Sequence, residues 1–137
     1  MPIKYTDPET LPAPVGAYSH IASSSAGGRI VGVAGQLAVD AEGEIVGPDD
    51  STCARQLVQV FSNLITALEA EGLGPNDILQ MTTYLITPDD IAPFYETRAE
   101  IFRDLFPSGA YPPNTLLVVQ RLVRPEFRVE ISAIAVA

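Results

Sequence analysis

A chain of 137 residues, 47% of them hydrophobic and 18% charged, can bury roughly two thirds of its unfolded surface around one core, so a single domain over 1–137 is expected. Seventeen acidic residues against eight basic give a net charge of −9, which repels a phosphate backbone and argues against nucleic acid as a partner. One cysteine and one histidine exclude an intrachain disulfide and a zinc-ligand cluster, and no apolar run approaches the ~18 residues that cross a bilayer. The opening MPIKYTDPET holds no apolar h-region; a cytoplasmic protein with no metal or cofactor and no membrane association is expected.

Four prolines within residues 1–15 favour an extended N-terminal arm, with ordered structure starting near Gly16. Tyr18–Ala22 and Arg29–Ala34 read as two strands of a hairpin turned at Gly27-Gly28. After Gly35-Gln36, the segment DAEGEIVG reads as a turn with a short strand near Ile45. Ala54, Leu57, Val58, Phe61, Leu64, Ile65 and Leu68 recur at the spacing of one helical face, with Asp49, Asp50 or Ser51 to cap the helix and Gly72 to end it. Ile78–Ile86 is apolar on both alternating sets and reads as a central strand. Thr87-Pro88-Asp89-Asp90 then starts a second helix, whose stripe is Ile91, Phe94, Tyr95, Ile101, Phe102 and Leu105, with Arg98 falling on the same stripe. Two apolar strands close the chain within 112–137, joined by a short loop and read as neighbours in the sheet.

Two helices on one face of a mixed sheet make a two-layer α+β domain. On the last strand Phe127, Val129, Ile131, Ala133 and Ala135 share one face; Arg128, Glu130, Ser132, Ile134 and Val136 share the other. The helices cover only one of these, and the second is still apolar, so a homo-oligomer that covers it is expected. Glu130 is a carboxylate inside a strand of Val, Ile and Ala, and must reach solvent, find a partner or line a pocket.

Gly16-Ala17-Tyr18-Ser19, Val33-Ala34-Gly35-Gln36, Asn63-Leu64, Pro112-Pro113-Asn114-Thr115 and Val129-Glu130-Ile131-Ser132-Ala133-Ile134-Ala135, taken in order, resemble the RidA/YjgF family of reactive intermediate deaminases over about Gly16 to Ala137. The resemblance implies a chorismate-mutase-like fold, a homotrimer with small-molecule clefts between subunits, and hydrolysis of imines or enamines to a ketone and ammonia. It implies that Tyr18 lines the cleft, that the Gly35 backbone meets the ligand and that Glu130 positions water, with the Leu116 carbonyl as a second holder of that water. Family deaminases typically carry Pro-Ala-Arg-Ser where this chain has Pro112-Pro113-Asn114-Thr115, and the arginine clamps the substrate carboxylate.

Asn offers neither charge nor fork, and hydrogen bonds to a charged group contribute roughly 1.5–3 kcal/mol each. Three outcomes stay open: weak or no activity on α-imino acids, another cation in place of the clamp, or a ligand without a carboxylate. Each residue also has a plainer role: Glu130 in a salt bridge to Arg121 or Arg128, Tyr18 as interface filling, Thr115 as the start of a strand, Asn114 as a turn residue. Arg98 either restores a positive charge to the cleft or pairs with Glu96, Glu100 or an acid elsewhere. His20 and Cys53 read as structural. Beside the deaminase stand a non-catalytic metabolite-binding trimer and a ribonuclease or translation inhibitor, the last opposed by the acidic charge.

Overall fold

In a computed structural model of the chain, which describes residues 3–14, 16–25 and 28–137, the first periodic run folds as α1 (Ala54–Ala70) and seats Leu57, Val60, Phe61, Leu64 and Leu68 in the core. A fully buried side chain of this kind contributes roughly 1.5–3 kcal/mol. The buried stripe is rotated from the expected one: Gln56 and Val60 are buried while Val58 is 55% exposed. None of the three expected caps serves, because Cys53 takes the cap position without a side-chain bond and the Asp50 carboxylate is held by Arg55 at 2.8 and 2.9 Å. Gly72 does end the helix. Its φ of 74° lets its N–H reach the Glu69 carbonyl and that of Leu73 the Leu68 carbonyl, closing the last turn.

Strand β4 (Ile78–Leu85) follows, then a tight 3-10 turn, Pro88–Asp90, in which the Thr87 hydroxyl accepts from the Asp89 N–H, and then α2 (Ile91–Leu105). Phe61, Phe102, Phe106 and Tyr111 join the two helices to the segment after α2 through ring contacts of 4.8–6.1 Å. Beneath the helices lies a four-stranded sheet built from β3 (Ile30–Gln36), β6 (Val129–Val136), β4 and β5 (Asn114–Val118), in that spatial order. Pairing is antiparallel except between β4 and β5, which the intervening α2 makes parallel. This is the expected α+β arrangement of two helices on a mixed sheet.

Three sequence expectations change. The arm is extended but not unstructured, since β1 (Ile3–Thr6) pairs with β2 (Ile21–Ser24) in a separate ribbon, so ordered structure begins well before Gly16. The expected hairpin of Tyr18–Ala22 with Arg29–Ala34 does not form: β2 pairs with β1, and β3 pairs with β6. Its turn residue Gly27 lies outside the described residues. A glycine turn makes a hairpin only if its flanks gain by pairing, and β3, with Val31 and Val33 facing the core cluster, gains more beside the long apolar β6 than beside IASS. Finally, β5 and β6 are consecutive but not adjacent, because β4 separates them. The turn after Asp40 forms as expected, with one bridge between Val39 and Ile45.

One buried polar node ties the layers together. The Asp90 carboxylate, 1% exposed, receives both Arg128 Nε at 2.9 Å and Nη2 at 3.3 Å, and the Cys53 N–H donates to it at 3.3 Å. It thereby connects the start of α2, the start of α1 and the residue preceding β6. Removing one member of a buried pair leaves the other uncompensated at a cost of about 3–5 kcal/mol. Asp90→Ala is therefore expected to lower the unfolding free energy by that order in urea titration, and Asp90→Asn with Arg128→Met to recover part of it; a loss under 1 kcal/mol (roughly) would rule out this role.

Candidate functional site

Alternation along β6 sends Val129, Ile131, Ala133 and Ala135 to the helices and turns Glu130, Ser132 and Ile134 to the opposite face. Across from them stand Tyr84, opposite Glu130, and Thr82, opposite Ser132. On the other side, the β3–β6 pairing jumps from Val33↔Ala133 to Gln36↔Ile131, a bulge that carries Gly35 against the Glu130 side chain. A β-carbon at Gly35 would lie 2.7 Å from Glu130 Cδ and 3.0 Å from Cγ, and closer still to a carboxylate oxygen. A larger residue there would have to displace the Glu130 carboxylate, so it is this approach that gives the glycine its role, not its backbone angles.

Gly35, Tyr84, Arg121, Glu130 and Ser132 line an open cavity of about 440 Å³. Among the described residues nothing forms a hydrogen bond or ion pair with the Glu130 carboxylate. The two arginines considered as its partners are otherwise engaged: Arg128 on Asp90, and Arg121 on the Leu122 and Val123 carbonyls at 3.1 and 3.2 Å. Half-buried and unpaired, the carboxyl is pushed above the usual range by loss of solvent.

A second cavity, of about 510 Å³, is lined by Tyr18, Ser19, His20, Gln80, Asn114 and Thr115 among others. Asn114 opens β5 and is oriented by the buried Thr83 hydroxyl, which donates to its Oδ1 at 2.8 Å. Its carbonyl is thus occupied, while its NH₂ group has no partner among the described residues. The Ser19 hydroxyl is spent on the Tyr111 carbonyl at 2.6 Å. His20, read from sequence as structural, lines this cavity too; an extended chain places residues i and i+2 on one side and so puts it beside Tyr18. The two rings meet edge-on at 5.8 Å.

Arg98 lines neither cavity. Its side chain, 2% exposed, lies between the rings of Phe94, Tyr95 and Phe102 with its guanidinium carbon 4.9–5.1 Å from each centroid. None of the acids considered for it, nor any other described residue, forms an ion pair with it; burial lowers its pKa. A β-carbon at Gly16 would come within 3.7 Å of its Nη2 and 3.9 Å of the Tyr18 ring, so Gly16 lies close to both side chains. Leu116, midway along β5, packs against the core. Cys53 is buried, its thiol pushed up to about 12 chiefly by burial and then by Asp90, which leaves it protonated and inert.

One chain therefore brings Glu130 to Gly35, and separately Tyr18 to Asn114 and Thr115, but does not join the two groups. Strand β4 runs between them, with Asn114 opposite Met81 and Glu130 opposite Tyr84. No group of three or more His, Cys, Asp or Glu that could hold a metal occurs among the described residues, and no helix there is long and apolar enough to cross a membrane.

Comparison with known proteins gives a consistent result. The family model described as Endoribonuclease L-PSP matches residues 9–137. A RutC family protein of Pyrococcus horikoshii is 34% identical over 128 residues, covering 93% of this chain and 92% of its own. The 2-iminobutanoate/2-iminopropanoate deaminase of Salmonella typhimurium is 30% identical over 128 residues, with 93% of each chain covered. Among solved structures, a Rid-family protein of unknown function from Yersinia pestis superposes with a TM-score of 0.83 at 34% identity, all of both chains being covered. The motifs that suggested the resemblance in sequence and the fold described above agree with these matches: the chain belongs to the RidA/YjgF family.

Proposed function

We propose that this chain hydrolyses a small imine or enamine in a cleft between subunits of a homotrimer, with a substrate preference altered by Asn114. The observation that carries the reading is the Glu130 carboxylate, unpaired, raised in pKa by burial and set in a cavity against Gly35. Similarity to a deaminase of 2-iminobutanoate and 2-iminopropanoate supports the reaction type. Assembly is supported by the uncovered sheet face, on which Ile30, Leu117 and Ile134 are 76%, 42% and 41% exposed. In the proposed trimer the cleft is formed where one chain's Glu130 cavity meets another's Tyr18–Asn114 cavity.

In the reaction Glu130 accepts a proton from water as the water oxygen bonds to the C=N carbon, and the proton passes to nitrogen. The resulting carbinolamine gives up its hydroxyl proton to Glu130, which passes it to the nitrogen, and ammonia departs as the C–N bond breaks and the C=O bond of the ketone forms. The raised pKa suits both halves, because such a carboxylate accepts a proton near neutral pH more readily and returns it to the departing nitrogen. Tyr18 and Gly35 shape the cleft, the Leu116 carbonyl shares in holding the water, and Asn114 and Thr115 select the substrate through hydrogen bonds.

A second reading, a metabolite-binding trimer without turnover, draws on the Asn114 side chain. Its Oδ1 is tied to Thr83, so the position offers a neutral N–H pair in place of a bidentate cation. Metabolites that raise the melting temperature without being converted would favour this reading.

Four measurements test the proposal. Glu130→Gln is expected to reduce ammonia release from 2-iminopropionate and from neutral imines by about 10²- to 10⁴-fold with the fold intact; equal rates would sink the role of Glu130. Because the folded-state carboxyl is raised, wild-type stability should fall as pH rises through the window from the unfolded carboxyl value to the folded one. Glu130→Gln should therefore be the more stable protein at neutral pH and lose that advantage as the pH drops, as read by urea titration. Gly35→Ala, which pushes the carboxylate aside, should lower the deaminase rate toward that of Glu130→Gln. Asn114→Arg should raise kcat/KM for the α-imino acid by about 10- to 100-fold, the gain of a charged hydrogen-bond pair, and leave neutral imines unimproved; no gain would show that the clamp is not what is missing.

A further inference from the structure

We infer that His20, in its imidazolium form, is the anion anchor of the cavity that contains Asn114, and that it makes carboxylate binding depend on pH. The inference rests on the proposed cleft and adds to it the group that recognises charge. The cavity wall contributed by β4 and β5 supplies only neutral residues, Leu79, Gln80, Pro113, Asn114 and Thr115. From the N-terminal segment come Tyr18, Ser19, Ile21, Ala22 and His20, so His20 is the one lining residue that gains a positive charge.

Its ring is held for this task. Nε2 lies 2.7 Å from the Pro12 carbonyl oxygen, which can only accept, so Nε2 carries the hydrogen and Nδ1 is left to take the titrating proton. The His20 main-chain N–H donates to Asp7 Oδ1 at 2.7 Å, and Tyr18 packs edge-on against the ring. Asp7 and Tyr18 are thus the titratable groups beside it. Nδ1 has no partner among the described residues.

With Nδ1 protonated, a carboxylate in the cavity accepts from that N–H and from the free NH₂ of Asn114, two separate donors in place of a single guanidinium fork. At higher pH only the neutral amide remains, and the same carboxylate loses its charged partner. A ligand with a neutral amide in place of the carboxylate would not register the change.

The test uses pyruvate, the stable ketone corresponding to 2-iminopropionate, and pyruvamide, its neutral analogue, titrated by calorimetry against the full chain in its native assembly. Wild type is expected to bind pyruvate about tenfold more tightly near about pH 5.5 than near about pH 8, with pyruvamide unaffected. His20→Gln keeps a donor for the Pro12 carbonyl and removes the titration; it should bind pyruvate with the weak high-pH affinity throughout, while its melting temperature certifies the fold. Glu130→Gln separates the other titrating group, and should retain the slope. A slope that survives in His20→Gln, or disappears in Glu130→Gln, overturns the inference. Pyruvamide binding with a flat pyruvate profile in wild type overturns it while sparing the cleft; absence of binding by both probes removes both together.

Discussion

The antiparallel register of β4 against β6 is the constraint on which the rest depends. From Met81↔Ala133 to Leu85↔Val129 the pairing is unbroken, and its parity decides which side chains meet the helices. Ile131 and Ala133 join Met81, Thr83 and Leu85 on the covered side, while Glu130 and Ser132 join Thr82 and Tyr84 on the other. A slip of one residue would exchange the faces, burying a carboxylate beneath α1 and exposing Val129, Ile131, Ala133 and Ala135. The unfavourable alternative fixes the strand as firmly as the favourable one, so the residue with the chemical interest also enforces the register that presents it.

Buried polar groups reinforce the same alignment. Asp90 grips Arg128 immediately before β6 begins, and Gln56 of α1 accepts from the Arg128 N–H at 2.8 Å while donating to the Glu126 carbonyl at the same distance. These contacts pin the strand's entry point from the helix layer. On the other side of the sheet, Asn63 of α1 donates to both the Leu37 and Val39 carbonyls at 2.9 Å, fixing the chain as it leaves β3 and its Gly35 bulge. The two strands that create the Glu130 cavity are therefore positioned by two amides of one helix. This gives a physical reason for Asn63 among the family motifs, for it acts on the site through the backbone and without touching it.

Much of the architecture was legible because it rests on local periodicity. The helical stripe of Phe61, Leu64 and Leu68, the Gly72 stop, the Thr87-Pro88 start and the alternation that turns Glu130 away from the helices are all written in short windows of sequence. Strand partnership was not, since β2 and β3 flank a glycine turn yet pair elsewhere, and the choice belongs to long-range competition for apolar neighbours. Arg98 shows the same limit. Its place on the inner stripe of α2 was readable, but the sequence suggested an acid or a ligand as its partner, and the fold surrounds it with aromatic faces contributed by its own helix. His20 stayed hidden for a different reason: its significance comes from sharing a cavity with Asn114, ninety-four positions along the chain, and only the paired sheet brings those segments together.

The arrangement also gives physical meaning to an amide, in place of an arginine, at position 114. A guanidinium at position 114 would carry a permanent charge into a cavity, and a carboxylate ligand would be held at every pH the protein meets. Here the position is occupied by an amide whose orientation is set from the core by Thr83, so the cavity keeps its geometry and gives up its fixed charge. In a chain of net charge −9 the entry of an anion then works against the field of the whole molecule, and any local cation gains weight in deciding what enters. The Glu130 cavity works in the opposite sense, since an unpaired and half-buried carboxylate lowers its energy by taking up a proton. On the proposed reading, in which the two cavities meet, the first favours a ligand with little fixed negative charge and the second a ligand that exchanges protons, conditions that a neutral or zwitterionic C=N compound meets.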